Sequence, residues 1–259
     1  MTHDAVRLTI DGPVATLTLT RPDRLNALDL AAMHRLADRL REASALPGVR
    51  GIVLTGEGRA FCAGADVSPT AAATGGTDGR AIVAAANEVV LAVVRADVPV
   101  IAAVNGPCVG VGVSFAIAGD AVIAADSAWF QLPFVKIGLT PDGGATHLLP
   151  ATIGRARASR MALFAERVPA ATALSWGLVY DAVPPAELLP AAQALAAGTA
   201  GSSREALRRT KRNLRRAQAD ELEAAMRREH DDQGELLDGP DYAEGLTALR
   251  EKRPPVYPE

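Results

Sequence analysis

Aromatic side chains are scarce, at 4% of 259 residues, so Ala, Val, Leu and Ile must fill most of whatever core the chain buries. Cysteine is nearly absent. Cys62 and Cys108 are the only two, with no CxxC and no disulfide framework, which points to a reducing compartment. MTHDAVRLTIDG has no basic segment followed by an apolar one, so no signal peptide is expected and the cytoplasm is the expected location. An excess of one charge sign is also missing. With 27 basic and 30 acidic residues the net charge is −3, which gives no bulk-electrostatic case for a nucleic-acid partner. His3, His34, His147 and His230 are scattered without ligand spacing, so no metal site is expected. The uncharged run 98–119 is long enough to span a bilayer, but Pro99, Asn105, Gly106 and Pro107 break it into strand, turn and buried helix, and no membrane span is expected.

Three familiar motifs fail. Gly110 and Gly112 lack the third glycine of a dinucleotide-binding turn, because position 115 is Phe. No GxxxxGK[ST] occurs. Gly112-Val113-Ser114-Phe115-Ala116 is similar to a nucleophile elbow, but Ser114 falls well past the expected strand end, inside a helix.

What is present reads as an α/β protein. VRLTI and VATLTLT flank Asp11-Gly12-Pro13 as a hairpin. Asp29 can cap a helix carrying Leu30, Met33, Leu36, Ala37 and Leu40 on one face. GIVLTG (51–56), PVIAAVNG (99–106) and DAVIAAD (120–126) read as short buried strands, with helices expected near 78–95 and 110–118. That alternation implies parallel pairing. SPTAAATGGTDG (68–79) reads as a mobile loop. Past about residue 185 the strand signals cease. Helices are expected near 185–197, 202–218, 220–236 and 240–250, before a proline-rich extended tail. We therefore divide the chain into an α/β core, 1–195, and a helical region, 196–259. The basic run SSREALRRTKRNLRR (202–216) reads as a solvated or subunit-facing helix surface.

Two segments can offer backbone donors. FCAGADV (61–67) follows a strand and turns through small residues, which lets a ligand approach the main chain. NGPCVGVGVSFA (105–116) joins a strand to a helix N-terminus, whose first N–H groups lack partners. A donor from each could form an oxyanion hole.

Together with RPDRLNAL (21–28), PVIAAVNGPCVGVG (99–112), GDAVIAAD (119–126), FVKIGLTPDGGATHLLPATIGRARA (134–158) and EKRPP (251–255), these segments make the chain resemble the crotonase superfamily, the enoyl-CoA hydratase/isomerase family, nearly end to end. The resemblance implies a spiral of ββα repeats with a C-terminal helical trimerisation region, assembled as a homotrimer or a dimer of trimers. It implies an acyl-CoA substrate, with coenzyme A as part of that substrate and no separate cofactor. The thioester oxygen would sit between the N–H groups of Ala65 and Val111. The adenine and phosphate contacts would map to Arg24, Leu25, Ala63, Gly64, Ala65 and Asp66.

The chain departs from the family where Val111 replaces a glycine, of which only the N–H is needed, and with more consequence at two further positions. Hydratases of the family activate water with two glutamates, and alignment of the glycine motif puts Ser114 and Phe134 in their places. Neither is a general base at neutral pH. The acid that remains is Asp142, in LTPDGGATH (139–147). Isomerases of the superfamily carry an acid in this context and use it to shuttle one proton. Leu132, Phe134 and Ile137 are the apolar neighbours expected to raise its pKa. The competing reading is a helix N-cap, since Asp is favoured there. The expected function is therefore movement of a double bond from 3-enoyl-CoA to 2-enoyl-CoA. The alternatives are a weak or unusual hydratase, a non-catalytic acyl-CoA carrier, and an enzyme using Asp142 as a nucleophile on an aromatic acyl-CoA.

Overall fold

The computed structural model describes residues 5–68 and 78–257, apart from the side chains of residues 217 and 218. Residues 69–77 of the expected mobile loop lie outside the described residues. The hairpin forms as β1 (Val6–Asp11) and β2 (Val14–Leu19), paired antiparallel with Asp11 opposite Val14. From β2 the sheet continues in parallel through β3 (Gly51–Gly56), β4 (Val100–Val104), β6 (Ala121–Ala125) and β9 (Asp181–Val183). β4 is buried from end to end and β3 in all but its last residue, which is why they read as apolar runs instead of alternating ones.

A second sheet holds β5 (Pro107–Val109), β7 (Trp129–Gln131) and β8 (Val168–Pro169). Consecutive strands therefore divide between the sheets. β4 lies in the large sheet and β5 in the small one, before α3 (Val111–Ile117); β6 and β7 repeat the step. This is the ββα winding expected of the chain.

Helix α1 (Leu30–Ala45) is capped as the sequence predicts: the Asp29 side chain accepts from Ala32 N, and Met33, Leu36, Ala37 and Leu40 are buried. It packs on α2 (Gly79–Val94). Helices α4 (Ala145–Ile153), α5 (Arg155–Leu163) and α6 (Ala170–Trp176) follow the second sheet, and α7 (Pro185–Ala197) lies along β2, β3, β4 and β6.

The helical region differs from expectation in one respect. The stretches near 202–218 and 220–236 are a single helix, α8 (Arg204–Leu237), followed by α9 (Pro240–Glu251). Ser203 caps α8 through Ala206 N, and no Gly or Pro interrupts it until Gly234.

The basic run is also more than a solvated surface. Arg208 and Arg209 pair with the exposed Glu205, as an outer face should. Arg204, Lys211 and Arg215, spaced along the inner face, instead end other helices. The Arg204 guanidinium donates to Ser44 O and Leu46 O at the end of α1. Lys211 Nζ donates to Val93 O at 3.0 Å in the last turn of α2 and to Val98 O at 3.1 Å. Arg215 donates to Ala118 O and Gly119 O just past α3, and both Lys211 and Arg215 pair with Asp120. Cations at helix C-termini satisfy carbonyls that have no partner within the helix and oppose the negative end of the dipole.

Lys211→Met is expected to destabilise the fold by about 2–4 kcal/mol, because it leaves Val98 O without a donor and removes a buried cation from Asp120. Urea unfolding measures this; a change below about 0.5 kcal/mol would mean that water replaces the ammonium.

Candidate active site

The two glycine segments meet. Leu28 N donates to Gly64 O and Asp66 N donates to Leu28 O, both at 2.9 Å, so residue 65 forms a parallel bridge with Leu28. In such a bridge the flanking groups bond across and the central residue's own N–H points the other way. Ala65 N has no acceptor among the described residues. Val111 begins α3, so its N–H lacks an intrahelical partner, and it too has no acceptor among the described residues.

Glycine makes this approach feasible. A Cβ on Gly64 (φ +94°) would stand 3.0 Å from Val109 O and 3.6 Å from Val111 N. Gly110 takes the positive φ, +58°, and Val111 is not among the residues with positive φ, so a valine is tolerated at the helix start.

Both segments line one cavity of about 680 Å³, and Asp142 lines it as well. Asp142 does not cap α4. That helix starts at Ala145, with Gly144 before it and no capping side chain of its own. The cap comes from α8. Glu229 Oε2 accepts from Gly144 N at 2.6 Å, and Oε1 accepts from Thr146 N at 2.8 Å and from Thr146 Oγ1 at 2.5 Å.

The Asp142 carboxylate is therefore left for the cavity. Gln233 Nε2 donates to Oδ2 at 3.3 Å, while Oδ1 is buried with no hydrogen-bond partner among the described residues. Burial first, and the charge of Glu229 second, push the Asp142 pKa up to about 7. Phe134 and Ile137 line the cavity wall as expected, whereas Leu132 lies in the core. Ser114 is fully buried and donates its hydroxyl to Asp142 O at 2.8 Å, tying the loop to α3.

Ala63, Gly64, Ala65 and Asp66 also face the cavity. Arg24 and Leu25 join them from the first turn after β2. Arg24 donates to Asp66 Oδ2 at 2.9 Å, and Leu25 O accepts from Ala63 N at 2.9 Å. Arg21 reaches the same Asp66 oxygen at 3.0 Å. Burial disfavours the Asp66 charge, but hydrogen bonds from Ser68 and Arg24 outweigh it and the pKa is lowered. Leu25 and Asn26 both have left-handed φ, 53° and 57°. The fully buried Asn26 side chain holds that strained turn in place: its oxygen accepts from Arg21 N, and its amide donates to Glu57 O and Ala60 O.

A family model described as enoyl-CoA hydratase/isomerase matches residues 9–259. The chain belongs to the enoyl-CoA hydratase/isomerase family. Among its relatives, a probable enoyl-CoA hydratase of Rhodobacter capsulatus is 40% identical, with 99% of each chain covered. The 1,2-epoxyphenylacetyl-CoA isomerase of Escherichia coli is 37% identical, with 96% of each covered. The crystal structure of an enoyl-CoA hydratase from Mycobacterium avium subsp. paratuberculosis superposes with a TM-score of 0.89 at 39% identity, covering 98% of this chain and 99% of that one. The crotonase fold expected of the chain is the one it has. No helix among the described residues is long and apolar enough to cross a membrane.

Within this family frame, the sequence reading missed Asn26, Glu229 and Gln233. A signal for the last two existed. Leu222, Met226, Glu229, Gln233 and Leu236 follow one another at helical spacing, so the two polar residues sit inside an apolar stripe. Polar residues on such a stripe are candidates for buried hydrogen bonds.

Asp142 binds its proton more tightly in the folded protein than in an unfolded chain, where the value is 3.8. Folding then takes up a proton between those two values, and stability falls as pH rises through this window. Asp142→Asn removes the penalty. It is expected to stabilise the protein by on the order of 2–4 kcal/mol at pH 8 and by little at pH 4. Urea unfolding at the two pH values checks this; an equal effect at both would contradict the buried-carboxylate account.

Proposed function

We propose that the protein is an acyl-CoA isomerase that converts a 3-enoyl-CoA to a 2-enoyl-CoA. The observation that carries this reading is a buried carboxylate with one oxygen unpartnered among the described residues, on a cavity wall shared with two undonated backbone N–H groups. The thioester oxygen accepts from Ala65 N and Val111 N. Asp142 Oδ1 removes a proton from C2, the electron pair moves into a dienolate whose negative oxygen lies in the hole, and the same carboxyl returns the proton at C4. A base titrating near 7 suits both halves of this shuttle at neutral pH. The 1,2-epoxyphenylacetyl-CoA isomerase among the relatives supports an isomerase reading.

The ligand's phosphates fit the cations around the cavity, where Lys136, Arg250 and Arg253 line the wall and Arg24 stands beside Asp66. Arg24, Leu25, Ala63, Gly64 and Asp66 form the coenzyme A end of the site in this reading. A homotrimer or a dimer of trimers belongs to the same reading.

Hydration is the second reading, favoured by the names of several relatives. Two features oppose it. The Ser114 hydroxyl is engaged by Asp142 O, and Phe134 puts a ring on the cavity wall where a water-holding carboxylate is expected.

Turnover of a 3-enoyl-CoA and hydration of a 2-enoyl-CoA are to be measured side by side. Asp142→Asn is expected to lower isomerisation kcat by about 10²- to 10⁴-fold. Val111→Pro deletes one oxyanion donor at a helix position that accepts proline, and is expected to lower kcat by roughly 10²- to 10³-fold. Hydration as the dominant wild-type activity would overturn the isomerase reading. A trapped acyl-enzyme would assign Asp142 as a nucleophile. Ligand binding with neither turnover would leave a carrier.

A further inference from the structure

We propose that helix α8 tunes the acid–base carboxyl from behind: Gln233 assigns the exchangeable proton to Asp142 Oδ1, and Glu229 supplies the negative charge that keeps that proton in demand. Both are positioning residues, and the proposal rests on the isomerase reading for its consequence but not for its geometry.

The assignment at Gln233 follows from its two bonds. Thr140 N donates to Gln233 Oε1 at 3.0 Å. An N–H can only donate, so the amide oxygen is fixed on that side and the Nε2 side must face Asp142. Nε2 in turn can only donate, and it donates to Oδ2. A proton on Oδ2 would meet that donor head-on. Oδ1, buried and unpartnered among the described residues, is the oxygen left to carry it.

Glu229 sits one helical turn before Gln233, on the same face of α8. Its two oxygens accept three hydrogen bonds from Gly144 and Thr146, all of which favour the ionised form. Burial still raises the Glu229 pKa, but three hydrogen bonds oppose that rise whereas Asp142 accepts one, so of these two carboxyls Glu229 is the better held in its ionised form. Other charged or titratable groups on the surrounding elements are Arg228 on α8, Arg80 on α2 against Gly234, Lys136 on the turn at Phe134–Ile137, and Tyr242 and Arg253 at the cavity wall. The charge of Glu229 raises the Asp142 pKa.

The test is a carboxyl-carbon NMR titration of protein labelled at aspartate, with the Asp142 signal assigned by its loss in Asp142→Asn. Glu229→Gln keeps an acceptor for α4 and deletes the charge, so the Asp142 midpoint is expected to fall by about one pH unit or more. Gln233→Met deletes the donor to Oδ2, so the midpoint is expected to rise. Opposite shifts from two changes on one helix face are not the result of general loosening. If Glu229→Gln does not fold, Gln233→Met alone decides the sign. The acidic limb of kcat against pH should move with each midpoint. Unmoved midpoints in folded variants would overturn the proposal. Shifted midpoints without any Asp142-dependent isomerisation would uphold the tuning and sink the isomerase reading instead.

Discussion

Glu229 accepts three hydrogen bonds at the start of α4, and the chemistry available at Asp142 depends on them. A helix beginning at Ala145 needs an acceptor for its first N–H groups, and the residue best placed by sequence to supply one is Asp142. Had Asp142 served as the cap, its carboxylate would be neutralised by backbone dipoles and its pKa held down. Because a residue from α8 takes that role, Asp142 keeps one oxygen unbonded within the described residues and remains buried. The same substitution of roles puts a second carboxylate behind it, and repulsion between the two raises the proton affinity that burial has already raised.

The long helix does the reverse at its other end. Arg204, Lys211 and Arg215 meet the carbonyls that close α1, α2 and α3, while Glu229 meets the N–H groups that open α4. Cations at C-termini and an anion at an N-terminus are the electrostatically favoured arrangement at every contact. One helix thus ties four others by their ends, and the site lies beside the last of these ties. Side-chain packing against α8 also reaches the cavity, since Leu237 and Gln233 both line it. The C-terminal region is part of the site's wall within its own chain, whatever else it contacts.

The fold was legible in the sequence because its signals are local. Buried parallel strands are uninterrupted apolar runs, Asp29 precedes its apolar stripe directly, and each glycine turn follows a strand end. The two segments that offer unbonded N–H groups were legible in their small residues, but Ala65 and Val111 were singled out only through the family resemblance, since a main-chain N–H has no residue type. The pair Glu229 and Gln233 lies 87 and 91 positions after Asp142, in a stretch so charged that an additional acid reads as solvated. The division of α8 at residue 219 failed for a related reason. Its middle has few apolar residues, so periodicity weakens there, although helix propensity stays high through Ala, Glu and Arg. The inward turn of Arg204, Lys211 and Arg215 could not be read either, because the carbonyls they meet belong to segments far earlier in the chain.

Among the described residues, one buried carboxyl with an unpartnered oxygen and two backbone N–H groups without acceptors define what the proposed site can do. Hydration requires a proton taken from water and a proton delivered to carbon within one transition state, which asks for donors and acceptors on both sides of the water. An allylic shift asks for less, because the proton removed is the proton returned. The proposed site matches the smaller requirement: a carboxyl whose affinity is poised near neutrality, with the face opposite its free oxygen sealed by Gln233. A wall carrying Phe134 supports the same economy, since excluding water protects a dienolate from quenching by a stray proton and strengthens the two N–H contacts that hold its charge.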